Sequence, residues 1–218
     1  MIVFPSTQLV NMSLVFRFLL LIILLMGVTV KAQHHHSQPE LAVQHPLSQI
    51  MDIMMERMDS VPINPSADQY FLAIMLPHHQ GAVAMAKYQI KHGHNTQMVQ
   101  LAKSIRAEQQ VEMQLMTIWL RDSTRFQPSD PDHVKQQNSA MLAMMNQLPA
   151  ADQLNNPDRA FALLMAPHHQ AAVTMAQIVI RYGTDPRARQ FAERLISAEQ
   201  IEINQLHTFT IQRNDQPK

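Results

Sequence analysis

Apolar residues recur every three to four positions along most of this chain, the spacing that places them on one face of an α-helix. Runs that alternate apolar and polar residues, as half-buried strands do, are scarce, and glycine occurs only four times. The pattern predicts an all-α fold of four long and two short helices. In chain order they are a short helix near 47–59, long helices from about 67 to 92 and from 95 or 96 to about 122, a short helix near 133–147, and long helices from 157 to 182 and from 185 to about 211.

Glycine and proline mark particular points in these helices. Gly93 and Gly183 are predicted as the C-caps of the first and third long helices, where glycine is the commonest residue. Pro77 and Pro167 lie inside the same two helices, where each removes one backbone hydrogen bond. We therefore expect a kink in each helix, directly before a pair of histidines.

The second half of the chain repeats the first at a constant offset of 90 residues. Between 51–113 and 141–203, 20 of 63 positions are identical without a gap, and the segment MLPHHQGAVAMA at 75–86 returns as MAPHHQAAVTMA at 165–176. Two tandem copies of this size can bury their apolar faces against each other with pseudo-two-fold symmetry. We predict one bundle over 47–211, with copies at about 47–122 and 133–211, and a polar tail at 212–218.

The composition excludes some functions and favours others. Charged residues make up 16% of the chain and the net charge is zero with His neutral, so no basic excess suggests nucleic acid as a partner. The chain has 17 Met and 12 His but no Cys. A soft-metal site would therefore use thioether and imidazole donors, and disulfides are impossible.

The two Pro-His-His segments carry the pattern most typical of metal binding. On a helical wheel, the Met and His residues of each segment fall within about 120° of one face. Each following helix carries a glutamate in its apolar stripe, which is costly to bury unless an imidazole of the preceding helix pairs with it. Such a glutamate either ligates the metal or orients the histidine. The candidate metal ligands are Met75, His78, His79, Met85 and Glu112 in the first copy and Met165, His168, His169, Met175 and Glu202 in the second.

This donor set favours copper. Thioether sulfur selects soft ions such as Cu(I), and silver would bind similarly, whereas zinc seldom uses Met. A ferritin-like di-iron centre needs Glu-x-x-His motifs, and none occurs in the sequence. The alternative is that the histidines only satisfy hydrogen bonds inside a core. The stripe of Met51, Met54, Met55 and Met58 has ordinary helical core spacing, so we interpret it as packing. The alternative is a Met-rich surface at the end of the bundle that binds a soft ion.

The N-terminal residues resemble a secretory signal that starts at Met12. Arg17 precedes an apolar run at 18–30, and Val30-Lys31-Ala32 offers a cleavage site between small residues. The run is shorter than the roughly 20 residues that span a bilayer, although an uncleaved anchor stays an alternative. We predict a signal peptide at 1–32, no stable membrane span after cleavage, and a periplasmic or secreted protein.

Cleavage there would leave a His-rich flexible tail at 33–46. The mature chain would begin at Gln33, and His34, His35 and His36 follow. A free amine with a histidine at position three can bind Cu(II) in a tetragonal set of nitrogens. We therefore expect a second, N-terminal Cu(II) site with His35 as the imidazole. The alternatives are an idle polar tail and a cyclised Gln33, which would block the amine.

The pattern Asp-x-x-Phe, Met-x-Pro-His-His-Gln-x-Ala and Gln-x-x-Glu-Met, ending at Gln109, Glu112 and Met113, resembles a bacterial "domain of unknown function" family. The resemblance covers about 47–210 and implies a ferritin-like four-helix bundle. It also implies periplasmic or extracellular copper binding linked to copper resistance, with the Met and His residues of both Pro-His-His segments as ligands. The second copy departs from the pattern, because Glu199 stands where the first copy has Gln109, so the two sites are expected to be unequal.

We expect an exported protein that sequesters or buffers copper and is not an enzyme. Its partners would be metal ions, with a copper exporter or chaperone as the protein that exchanges them. Two alternatives stay open: a metal-dependent oxidoreductase such as a cuprous oxidase, and a structural bundle without metal.

Overall fold

The helices form where the periodicity places them. The computed structural model describes residues 44–214, and within that range the chain has six α-helices and no strand. They are α1 (Pro46–Asp59), α2 (Ala67–His92), α3 (Thr96–Leu120), α4 (Asp132–Met145), α5 (Pro157–Tyr182) and α6 (Pro186–Asn214), with 3₁₀ turns at Ser123–Arg125 and Ala151–Leu154. The all-α prediction is confirmed, and the last helix continues beyond its predicted end near 211. The predicted signal peptide and the histidines of the N-terminal tail lie outside the described residues.

Short polar side chains fix the starts of three long helices. The side chains of Ser66, Asn95 and Asn156 accept hydrogen bonds from backbone N–H groups three residues later, at 3.3, 3.0 and 3.0 Å. Each bond satisfies one of the N–H groups that the first helical turn leaves without a partner. Because these caps are local, the sequence defines where the helices begin.

The four long helices form the bundle, with α2 and α5 packed against each other at its centre. A short loop joins α2 to α3 and another joins α5 to α6, so each copy is a helical hairpin. The short helices α1 and α4 cover α2 and α5 respectively. A groove with a volume of about 920 Å³ lies between α3 and α6. The two Pro-His-His segments therefore lie inside the bundle, on its two central helices.

Two buried aspartates hold the copies together in a reciprocal clasp. Asp68, in the first turn of α2, accepts hydrogen bonds from the backbone N–H groups of Thr184 and Asp185 in the α5–α6 loop, at 2.7 and 3.1 Å. Ninety residues later, Asp158 accepts hydrogen bonds from backbone N–H groups of the loop before α3. The bond from the N–H of Asn95 to Oδ2 of Asp158 is 3.0 Å long. Both aspartates are fully buried. Each copy thus completes the hydrogen bonds of the other copy's loop.

The clasp explains both glycines that end the central helices, and it corrects the predicted reason for them. Gly93 and Gly183 do follow the ends of α2 and α5, but their φ angles of −72° and −78° are open to any residue. A Cβ on Gly93 would lie 2.8 Å from Oδ1 of Asp158, and one on Gly183 would meet the carboxylate of Asp68. A Cβ would also lie 2.6 Å from a carbonyl oxygen of the preceding helical turn, that of Gln89 or Val179. The glycines are therefore required by the close approach of this carbonyl and of the other copy's carboxylate, not by a left-handed helix end.

Both central helices continue through their internal prolines. Pro77 and Pro167 lie within uninterrupted helical segments, and the kink expected at each stays a prediction.

In α1, Met51, Met54 and Met58 are buried in the core, as the packing interpretation predicts. No helix in residues 44–214 is both long and apolar enough to cross a membrane.

Candidate metal centre

Two histidine rings lie against each other, tilted, where α2 and α5 meet. The ring centroids of His78 and His168 are 3.7 Å apart, with an interplanar angle of 33°, and neither side chain has any exposed area. Nε2 of His168 lies 3.2 Å from the carbonyl oxygen of His78, so this nitrogen is the donor. The lone pair of His168 is then on Nδ1. That atom and both ring nitrogens of His78 have no hydrogen-bond partner among the described residues.

Burial keeps this inner pair neutral. Removal from water, reinforced by the other buried histidines, holds the pKa of both His78 and His168 well below the ordinary histidine value. A protonated imidazole cannot coordinate a metal, whereas a neutral one offers a free lone pair. The inner pair is therefore in the protonation state that metal binding requires.

The second histidine of each segment faces the following helix of its own copy. Nε2 of His79 lies 2.9 Å from Oε2 of Glu112, and Nε2 of His169 lies 2.9 Å from Oε2 of Glu202. The predicted contact between these glutamates and an imidazole of the preceding helix is thus present. A carboxylate thus lies beside Nε2 in both copies, but only the His79 contact has hydrogen-bond geometry. Nδ1 of both rings has no hydrogen-bond partner among the described residues.

A third polar pair joins the two copies in the same layer. Nε2 of Gln109 donates a hydrogen bond of 3.1 Å to Oε1 of Glu199, its counterpart 90 residues later. That oxygen also lies 3.6 Å from Nδ1 of His169. Gln109 and Glu199 are almost completely buried, with 2% and 4% of their surface exposed. The layer is therefore symmetric in position but not in side-chain type, because an amide in the first copy stands opposite a carboxyl group in the second.

Neighbouring carboxylates influence the pKa values of the buried His169 and Glu199 in the second copy. Burial acts to lower the pKa of His169, but Glu199 and then Glu202 outweigh it and raise that pKa. Burial raises the pKa of Glu199 to about 8, and the nearby carboxylates of Glu112 and Glu202 add to the rise while His169 opposes it. Adjacent histidines in one segment, His168 and His169, thus differ in their preference for a proton because of what each ring faces.

The sequence predicted one shared face, and the structure divides it in two. His78 points at the other copy, whereas His79 points at α3. The four Met candidates, Met75, Met85, Met165 and Met175, are fully buried in the same core. Within residues 44–214 no three His, Asp or Glu side chains already form a cage around a metal position. The centre is a set of paired donors that an ion would draw together.

Sequence reasoning missed the contact between Gln109 and Glu199. Glu108, which helical spacing puts on the same face as Glu112, is exposed, and the next residue, Gln109, is buried instead. The sequence does indicate this contact in one way, because Glu199 departs from the family pattern at the position equivalent to Gln109. Glu108 and Glu202 line the groove between α3 and α6, so the groove leads to this layer.

The family assignment rests on a match over most of the sequence. The profile described as "Domain of unknown function (DUF305)" matches residues 25–120 and again 68–210. The chain belongs to this family. The resemblance that the Pro-His-His motifs predicted is confirmed.

Solved structures of one protein, CopM, resemble this chain. Its Ag-bound form is 29% identical with a TM-score of 0.50, and the match covers 65% of this chain and 93% of CopM. Its Cu(I)-bound form is 27% identical with the same TM-score, over 65% of this chain and 94% of CopM. Among curated sequences, Uncharacterized protein L153 of Acanthamoeba polyphaga mimivirus is 34% identical over 61 residues. That alignment spans 28% of this chain and 40% of the viral protein.

Proposed function

We propose that this protein binds copper, Cu(I) in preference to Cu(II), and buffers or sequesters it outside the cytoplasm. The observation that carries the proposal is the inner pair of His78 and His168, buried, neutral and with nitrogens that lack hydrogen-bond partners among the described residues. Burying such nitrogens without a partner is costly, and a metal ion would use them. Similarity to CopM, whose structures include Cu(I)-, Cu(II)- and Ag-bound forms, supports copper as the ion.

The proposed ligand set combines nitrogen and sulfur. Imidazole and thioether are donors that Cu(I) prefers, and the buried Met residues lie on the same two helices as the inner pair. His79 and His169 belong to the set as well, and Glu112 and Glu202 would fix the orientation of these rings and raise their basicity. The remaining members of the set are Met75, Met85, Met165 and Met175.

The cellular role follows from the N-terminal sequence and the donor chemistry. A signal peptide at 1–32 would deliver the protein to the periplasm or the exterior, where it would contribute to copper resistance or homeostasis. A copper exporter or chaperone would exchange the ion with it. The tail histidines at 34–36 would add a Cu(II) site with nitrogen donors.

Thermal denaturation with Ag(I), a redox-stable substitute for Cu(I), tests ion binding. A ligand that binds only the folded state at 100 times its Kd should raise the Tm by about 5–10 °C. The double variant His78→Gln and His168→Gln should lose most of this rise. His133→Gln is the matched control, because His133 is equally buried but lies on α4. An unchanged rise in the double variant, or no rise in the wild type, would refute the inner site.

Oxygen uptake separates a binding protein from a cuprous oxidase. With excess Cu(I) in air, we expect the protein to slow the consumption of oxygen, because a buffered ion reacts less. Sustained consumption above the protein-free rate would overturn the assignment as a non-enzyme.

A further inference from the structure

A groove rich in methionine lies between the two short helices, and both copies contribute to its wall. It has a volume of about 380 Å³, and residues of α1, α4, the loop after α1 and the start of α2 line it. Its four methionines, two from each copy, are Met55, Met58, Met141 and Met145. Met55 and Met145 are equivalent positions 90 residues apart. The duplication thus places methionines on both walls of this methionine groove.

Core packing does not fully account for these methionines. Met58 and Met141 form a buried floor, with 1% and 5% of their surface exposed, whereas Met55 and Met145 are only partly buried. The other methionines of α1, Met51 and Met54, are buried and lie outside the groove wall. The packing interpretation therefore fits Met51 and Met54 completely, but Met55 also borders an opening to solvent.

The charge of the methionine groove favours a cation. Asp59 is exposed at its rim, and no Lys, Arg or His is among the described residues that line it. Burial and then the charge of Asp59 raise the pKa of Tyr70, which also lines the groove, so the Tyr70 hydroxyl stays neutral. A carboxylate at an opening attracts cations from solution. A cation that enters meets no positive side chain among these lining residues.

The donor chemistry selects a soft cation. Met is unbranched and has three rotatable bonds, so facing methionines can turn their sulfurs towards one ion. Cu(I) accepts thioether ligands and Ag(I) binds similarly, whereas Mg²⁺ and Ca²⁺ prefer oxygen. A thioether also has no proton to lose, so such a site works at a pH where exposed imidazoles are protonated.

We propose that Met55, Met141 and Met145, with Met58 at the floor, form a surface site for Cu(I) or Ag(I) built from thioether sulfur alone. This site goes beyond the proposed function, because it shares no ligand with the histidine centre and does not depend on metal binding there. Water reaches the open groove, so we expect weaker binding than at the buried pair. The site then accounts for the part of the Ag(I)-induced rise in Tm that the double histidine variant keeps.

Ag(I) titration of the double variant His78→Gln and His168→Gln, at about pH 5, tests the proposal, because exposed histidines are then protonated and do not compete. We expect one Ag(I) to bind. Adding Met55→Leu and Met145→Leu removes two sulfurs at nearly constant volume and should weaken binding by about 10-fold or more. In NMR spectra of protein with ¹³C-labelled Met methyl groups, Ag(I) should shift the signals of Met55 and Met145.

The same helix provides the matched control. Met51→Leu and Met54→Leu make the same chemical change twice on α1 but outside the groove wall, and they should leave Ag(I) affinity unchanged. No Ag(I) binding to the double histidine variant, or equal weakening by both Leu pairs, would show that the methionines only pack.

The methyl signals protect the test if a Leu variant folds poorly, because they are read with the groove methionines in place. Signals of Met55 and Met145 that do not move at saturating Ag(I) overturn the proposal. The background already lacks the inner histidine pair. Failure of the methionine groove is therefore distinguishable from failure of the copper site, which is measured in the wild type.

Discussion

At the scale of single residues, the surroundings of a side chain decide its chemistry more than its type does. His168 and His169 are neighbours in sequence and both are fully buried. One faces another imidazole and a carbonyl, and its pKa is lowered, whereas the other faces two carboxylates and its pKa is raised. A segment with two identical residues thus presents one neutral metal donor and one ring that attracts a proton.

This difference predicts a pH dependence of stability. Because the folded-state pKa values of His78 and His168 are depressed, the unfolded chain takes up protons below its own pKa of about 6.5 that the folded chain does not, so folding weakens as the pH falls. Each residue contributes about 1.4 kcal/mol for each pH unit below 6.5. Urea unfolding at pH 7.5 and 5.5 should show that the wild type loses about 2–3 kcal/mol relative to the double variant His78→Gln and His168→Gln.

The test must compare the pH dependence of the free energy of unfolding in the wild type and in the double variant, because Glu199 changes this free energy with pH in the opposite direction. Its folded-state pKa of about 8 is raised, so its own contribution weakens as the pH rises from about 4.5 to 8. Glu199 is present in both proteins and its contribution largely cancels. Parallel pH profiles for the two proteins would show that the inner histidines are not neutral in the folded state.

At the scale of helices, the close approach of one element to another explains glycines that helix propensity and capping rules do not explain. Gly81 lies inside α2, where a Cβ would come 2.7 Å from the sulfur of Met54. Gly93 lies just after the same helix, where a Cβ would meet the carboxylate of Asp158. At Gly81 the obstacle is a single unbranched side chain, with the Cγ and Cβ of Met54 at 2.9 and 3.1 Å. At Gly93 the obstacles are the backbone carbonyl of Gln89, at 2.6 Å, and a carboxylate that hydrogen bonds to backbone N–H groups hold in place.

Alanine substitution should therefore have different effects at the two glycines. Gly81→Ala should change the free energy of unfolding by less than about 1 kcal/mol, because Met54 can move and alanine favours a helix. The second copy already has Ala171 at the equivalent position. Gly93→Ala should cost about 1–3 kcal/mol, because the clasp must shift to admit the methyl group. Denaturant midpoints measure both, and equal effects would contradict the explanation of Gly93.

At the scale of the whole bundle, contacts between the two copies predict that they unfold as one cooperative unit. The clasp links each helix start to the other copy's loop, and Phe71 and Phe191 pack across the copies with ring centroids 6.1 Å apart. The pair of His78 and His168 and the contact of Gln109 with Glu199 likewise take one side chain from each copy. Neither copy alone would satisfy its buried groups.

Removing one side of the clasp should weaken the entire bundle. Asp68→Ala leaves the N–H groups of Thr184 and Asp185 without their acceptor and should cost about 2–4 kcal/mol. Asp68→Asn, which keeps one acceptor oxygen, should cost less. Fluorescence of Trp119, which lies 5.9 Å from the ring of Phe191, and far-UV circular dichroism should report one common transition. Two separate transitions would mean that the copies fold independently.

The sequence by itself determined the helices, the duplication and the identity of most candidate donors. Periodicity and caps act over a few residues, so the bounds of α2 and α5 and the pairing of Glu112 and Glu202 with imidazoles could be predicted from the chain alone. Whether those donors bind a metal stays a prediction.

Only the tertiary structure decided which face each histidine uses and which polar residues are buried. The stacking of His78 on His168, the contact of Gln109 with Glu199 and the clasps of Asp68 and Asp158 join residues more than 60 positions apart. Helical periodicity fixes the direction of a side chain only relative to its own helix axis, to within tens of degrees. Which neighbour it meets depends on how two helices cross and rotate against each other, and packing of the complete core sets that geometry.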